Sequence, residues 1–137
     1  MENQTKQKIN RQNSGIATKL PIKIVQFGGG NFMRGFTDYV IDQLNKQTSF
    51  NGGIVNLQAT QNGSIQKMEE QDNLYTLFSR GIKKGEIIDT KTLISAIQKS
   101  INPYADYDAF LNLAKEEQLE FLFSNTTESG IVFDELE

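Results

Sequence analysis

Ile22-Lys23-Ile24-Val25-Gln26-Phe27-Gly28-Gly29-Gly30-Asn31-Phe32-Met33-Arg34-Gly35-Phe36 is the stretch on which the fold of this chain turns. Ile22, Ile24, Val25 and Phe27 are β-branched or aromatic, and predict a short buried strand. Gly28, Gly29 and Gly30 then predict a turn with no Cβ to block a close approach to the backbone. The residues after Gly30 read as a helix start, so strand, glycine turn and helix follow in the order of a phosphate-binding βα unit. Dinucleotide binding is the leading expectation from this order.

The dinucleotide fingerprint G-x-G-x-x-G assigns its glycines to the tight turn, the diphosphate approach and close helix packing. Gly28 and Gly30 take the first two places, but Met33 stands in the third, and Gly35 lies too far along the helix to replace it. A nucleotide-hydrolysing P-loop is excluded, because Phe36 follows Gly35 where Lys is required to reach the phosphates. The second strand is predicted over Ile54-Val55-Asn56-Leu57-Gln58, and the loop after it carries neither carboxylate nor Arg. Gln58 or Gln61 is the candidate partner of an adenine-ribose hydroxyl, a neutral choice that favours NAD over NADP. The glycine turn alone leaves open an adenosylmethionine-dependent methyltransferase and a non-catalytic nucleotide-binding module.

The chain of 137 residues has room for one ordinary domain. A net charge of -3 argues against a broad nucleic-acid surface. With no apolar run of spanning length and a polar amino terminus, the expectations are no membrane partner and a cytoplasmic location. The sequence contains neither histidine nor cysteine. Thiolate chemistry, thiolate-bound zinc and the commonest general base are therefore absent. An alcohol dehydrogenase must still move a proton at the carbinol oxygen, and no Lys or Tyr here sits in a pattern that announces that task. No catalytic residue and no metal ligand set is assigned, and such an enzyme would need more than this cofactor-binding portion.

Residues 1–18 are rich in Asn, Gln, Lys and Ser, and predict a disordered polar tail ahead of a domain over 19–137. Phe32, Phe36, Tyr39, Val40 and Leu44 recur at helical spacing over 31–46 and predict a buried stripe, with Asp38 and Asp42 on another face. Asn31 is a candidate cap for this helix or a cofactor contact. Residues 60–73 read as a polar loop. Leu74–Arg80 and Glu86–Thr90, joined by glycine-containing turn residues, predict an inserted β hairpin. Residues 93–101 read as a strand ended before Pro103, Asp106 as the cap of a helix through Ala114, and 120–124 as a buried strand. The fold class is α/β: a Rossmann-like, mostly parallel sheet flanked by helices, with that hairpin inserted. Asn125, Thr126, Thr127 and Glu128 follow the last strand, where polar residues meet the ligand crevice of an open sheet.

Taken together, Gln26–Phe36, Gln71-Asp72-Asn73-Leu74-Tyr75-Thr76 and 123–131 (Phe-Ser-Asn-Thr-Thr-Glu-Ser-Gly-Ile) resemble the amino-terminal domain of the polyol-specific long-chain dehydrogenases, the mannitol dehydrogenase family. The resemblance implies reversible hydride transfer between NADH and the keto group of a sugar acid, giving the corresponding hydroxy acid. It implies that Gly28, Gly30, Asn31 and Phe32 form the cofactor turn, that Arg34 approaches the diphosphate or helps to close the cleft, and that 125–128 border the nicotinamide. Gly29, where relatives carry a larger residue, implies a looser turn. It also implies that the catalytic Lys, Asn and His come from a carboxy-terminal domain, so that this chain alone is inactive.

Overall fold

The computed structural model describes residues 8–16, 19–63, 65–126, 131 and 133. The elements run α1 (Arg11–Ser14), β1 (Ile22–Phe27), α2 (Asn31–Gly35), α3 (Thr37–Gln47), β2 (Gly53–Leu57), α4 (Gln66–Glu69), β3 (Tyr75–Lys83), β4 (Glu86–Ile94), β5 (Ile97–Ile101), α5 (Tyr107–Asn112) and β6 (Phe121–Ser124). Four strands form one parallel sheet in the order β5-β2-β1-β6. Parallel neighbours need crossovers, and these place α2 and α3 between β1 and β2, and α5 between β5 and β6.

Alternation along the central strands sends side chains into two cores. Ile24 of β1 and Ile54 of β2 join Ile41, Met68, Ala96 and Ile97 under α3. Val25, Val55 and Leu57 face the other way and meet Ile101 and Leu113 beside α5. All five residues of β2 are buried, as expected of a strand covered on both faces. The Rossmann-like α/β expectation therefore holds.

The hairpin is also present, but it is longer than the composition announced. β3 and β4 pair from Tyr75↔Ile94 to Lys83↔Glu86. Their turn falls at Lys84 and Gly85, both at positive φ, inside the glycine-containing run 81–86 expected to turn. The apolar run read as one strand over 93–101 is divided between β4 and β5, with Ser95 and Ala96 as the link. The supposed polar loop contains α4, anchored by buried Met68. Asp106 does cap α5, its Oδ1 accepting from Ala109 N at 2.8 Å.

Further expectations are corrected. The polar tail is ordered in part: Asn10 and Asn13 close a reciprocal capping box on α1, and Arg11 donates to the carbonyls of Ser95 and Ile97 and, through its backbone N, to Asp72. Polar contacts supply the order that burial does not. The single helix over 31–46 is two, broken at Phe36, where φ is -121° and ψ -71°. The aromatic stripe is not buried, since Phe32 and Phe36 are 59% and 60% exposed, and Val40 and Leu44 also lie open. Asp38 and Asp42 are buried instead. Asp42 accepts from Ser95 N at 2.8 Å and pairs with Lys46, which donates to Leu93 O at 2.8 Å. This clamp between α3 and the end of β4 satisfies the carboxylate, so its burial is tolerable. Likewise β6 is an edge strand whose Phe121 and Leu122 are exposed, and not the buried strand expected.

This assignment of faces has a direct test. Ile54→Ala is expected to cost about 2–5 kcal/mol in urea unfolding, because Ile54 is fully buried. Phe36→Ser is expected to change stability by less than about 1 kcal/mol. A large loss at Phe36 would show that the stripe is part of the core.

Candidate cofactor site

β1 ends in a turn that only glycine adopts without strain. Gly28 has φ +91°, and its N–H donates to Leu57 O at 2.8 Å, fastening the turn to the end of β2. Gly29 lies against a neighbour: a Cβ there would stand 2.6 Å from Asn56 Nδ2. Its bare carbon is thus explained by close packing beside buried Asn56, whereas a loose turn was expected. A Cβ on Gly30 would meet nothing within 4 Å, and Gly30 is one of the residues lining a cleft of about 280 Å³.

Gly28, Gly29, Gly30 and Arg34 line that cleft with Asn56 and Gln58. Gly30, and not Asn31, is the N-cap of α2, and it offers no side-chain cap bond. Asn31 Oδ1 instead accepts from Arg34 Nη2 at 2.7 Å, which holds the guanidinium near the turn. Phe32 points outward and packs on Phe36 with ring centroids 5.5 Å apart. Gln58 is buried, its Nε2 donating to Thr60 O at 3.0 Å. Asn125 and Thr126 follow Ser124, the register partner of Phe27, so the chain leaves β6 beside the glycine turn. Neither residue lines the cleft. Thr127 and Glu128 lie outside the described residues.

A second cleft of about 560 Å³ lies at the carboxyl ends of β2 and β5 and shares Gln58, Gly63 and Ile65 with the first. Asn102, Asp106 and Ala109 form its far wall. Tyr104 Oη donates to Ala59 O at 3.2 Å, tying the loop after β5 to the loop after β2. These residues were read only as a strand end and a helix cap. The signal available was topological, since the loop after a strand adjoining β2 must border the same crevice.

Fit for a dinucleotide rests on three features of this geometry. The Gly30 flank is unfilled, a cation stands at the rim, and buried Asn56 Oδ1 has no hydrogen-bond partner. A diphosphate can approach the turn, and the joined clefts give it two directions in which to extend.

Beneath the turn is a buried polar cluster. Gln26 Nε2 donates to Gly28 O at 3.1 Å, while Tyr75 Oη lies 2.8 Å from Arg34 O and 3.3 Å from Asp38 Oδ2. Burial pushes the Asp38 carboxyl up to about 7, with Tyr75, Gln26 and Arg34 opposing it in part. Burial and the neighbouring Asp38 carboxyl both raise the Tyr75 hydroxyl. A carboxyl raised in the folded state contributes most to stability below the unfolded midpoint, because between the two midpoints only the unfolded chain releases the proton and rising pH favours it. Asp38 therefore withdraws stability as pH rises from about 4 to about 7, by on the order of 4 kcal/mol in all. Asp38→Asn should gain on the parent across that window and run parallel above it. Equal pH dependence of the two in denaturant unfolding would contradict the raised carboxyl.

Among known proteins, the sequence matches the family described as Mannitol dehydrogenase Rossmann domain over residues 22–136. The altronate oxidoreductase of Bacillus subtilis is 47% identical over 129 residues, covering 94% of this chain and 27% of the relative. That of Bacteroides thetaiotaomicron is 41% identical, covering 83% of this chain and 24% of the relative. This chain thus spans about a quarter of the length of these relatives. Among solved structures, the ternary complex of Pseudomonas fluorescens mannitol 2-dehydrogenase with NAD and D-mannitol superposes with a TM-score of 0.74 at 20% identity, covering 90% of this chain and 27% of that one. A substrate-free D-sorbitol dehydrogenase gives 0.69 at 23%, covering 90% and 28%. With the match extending from β1 past β6, and with the parallel sheet and glycine turn in place, the chain belongs to the mannitol dehydrogenase family and carries its Rossmann domain.

Proposed function

We propose that this domain holds NAD across the carboxyl ends of its parallel strands, as part of an enzyme that interconverts tagaturonate and altronate in hexuronate breakdown in the cytoplasm. The observation carrying the reading is the open flank of Gly30 beside the Arg34 rim, in a chain whose relatives include altronate oxidoreductases. Gly28, Gly29 and Gly30 admit the diphosphate, and Asn31 keeps Arg34 near it. Gln58 Nε2 is engaged by its own loop, which leaves its amide oxygen to accept from an adenine-ribose hydroxyl. Asn125, Thr126, Thr127 and Glu128 are assigned to the nicotinamide side, and Phe32 to the wall of the closed cleft. NAD supplies the hydride chemistry when bound.

The same reading assigns substrate binding and proton transfer to a carboxy-terminal domain. The exposed stripe of Phe32, Phe36, Val40 and Leu44 supports it, since apolar surface of this kind is usually covered in the working protein. Fructuronate reductase and mannitol dehydrogenase chemistry are the neighbouring possibilities in the family, and the substrate assignment rests on likeness to the altronate enzymes.

Isothermal titration of the folded chain with NADH is expected to give weak binding, with no turnover of tagaturonate. Gly30 has φ -68° and open space where a side chain would go, so Gly30→Val should fold normally. It should weaken NADH binding at least about tenfold, or about 1.4 kcal/mol, by filling the diphosphate approach. Absence of heat at millimolar NADH, or unchanged affinity in Gly30→Val, would refute the cofactor assignment. Thermal stabilisation by adenosylmethionine and not by NADH would replace it with a methyltransferase.

A further inference from the structure

The cluster beneath the glycine turn is short of hydrogen-bond donors. Tyr75 has one hydroxyl proton for two acceptors, Arg34 O and Asp38 Oδ2. Gln26 Nε2 gives one of its two protons to Gly28 O, and Gln26 also bonds toward Asp38, opposing the rise of that carboxyl in part. Two more buried acceptors, Asp38 Oδ1 and Gln26 Oε1, have no partner. Orphaned acceptors at full burial are costly, and a proton on the carboxyl would supply the missing donor at the point of shortage.

The position of the cluster gives this a consequence for binding. From the base of the hairpin, Tyr75 reaches the carbonyl of Arg34 in α2. On the other side, Gln26 grips the carbonyl of Gly28, the residue whose left-handed conformation makes the turn. Asp38 stands between Tyr75 and Gln26. The cluster thus spans hairpin, α3, β1 and α2, and meets the cofactor turn at both of its ends.

We propose that Asp38 is a neutral carboxylic acid in the cofactor-binding form of the domain, and that Tyr75, Asp38 and Gln26 are positioning residues that hold the glycine turn and Arg34 in place for the dinucleotide diphosphate. This rests on the NAD reading above. Charged and titratable neighbours set the sign of the coupling. From α2, Arg34 favours an ionised Asp38; from β3, Tyr75 donates to it; β1 contributes only uncharged Gln26. Along α3, Asp42 is held by Lys46. A bound diphosphate brings negative charge to the turn and engages the Arg34 guanidinium, and both effects disfavour ionisation of Asp38. The complex therefore keeps the proton to higher pH than the free domain. Affinity should fall as pH rises through about 7, where the free carboxyl titrates.

Two measurements on the folded chain test this. Carbon-13 NMR of the Asp38 carboxyl is expected to give a midpoint near neutrality; a midpoint in the ordinary carboxylate range would overturn the proposal. NADH affinity measured from pH 6 to pH 9 should weaken roughly three- to tenfold in the parent. It should stay level in Asp38→Asn, which keeps the shape but cannot ionise. Tyr75→Phe should bind several-fold more weakly and move the fall in affinity to higher pH, since it loses both the hold on Arg34 and the hydroxyl that favours an ionised Asp38. A level profile in the parent, or the same slope in Asp38→Asn, would overturn the coupling. Failure of every variant to bind NADH at any pH would overturn the cofactor reading and the coupling with it, while the carboxyl midpoint would still decide the protonation of Asp38 separately.

Discussion

The left-handed turn at Gly28 is the constraint on which the rest depends. β1 is paired on both edges, by β2 and by β6, so its chain can leave only through the carboxyl end of the sheet. A φ of +91° makes that exit sharp, and the Gly28 N–H fastens it to the last carbonyl of β2. From there α2 and α3 run back across the face carrying Ile24 and Ile54. The same geometry leaves Gly30 bare on its outer side, and the cleft is the space so created. A β-carbon at position 28 would strain the turn, and the helices would lose the angle at which they cover the core.

The two buried carboxylates of α3 show how burial depends on partners and not on residue type. Asp42 has a backbone N–H, a hydroxyl and Lys46 arranged about it, so its charge is met. One turn earlier, Asp38 has a share of a single hydroxyl and an oxygen with no partner. The first fastens α3 to the β4–β5 link, and the second is pushed toward its neutral form. An apolar stripe at helical spacing was present in the sequence, yet α3 turns it outward and its carboxylates inward, where Asp42 finds Ser95 and Lys46.

The parallel sheet was legible because β-branched and aromatic runs such as Ile22–Phe27 and Ile54–Leu57 announce strands whatever surrounds them. So was the glycine turn, since three successive glycines after a strand leave few alternatives. The Asp106 cap was also readable, being a local bond between a side chain and an amide three residues on. Less visible were the second cleft and the role of Asn56, which depend on loops from β2 and β5 meeting in space. Arg11, in a segment with the composition of a disordered tail, finds carbonyls more than eighty positions away, and no local pattern could reveal that.

By itself, then, the sequence determined the periodicities and the bare carbons: where strands run, where the backbone must turn left-handed, and that no histidine or cysteine is available for chemistry. These follow from steric and covalent properties that each residue carries wherever it is placed. The tertiary structure alone decided which face of α3 is buried, that Gly29 rests against Asn56, and that Asp38, Gln26 and Tyr75 form one cluster. These outcomes depend on partners distant along the chain, and a carboxylate reads as surface until the fold brings, or fails to bring, enough donors to it.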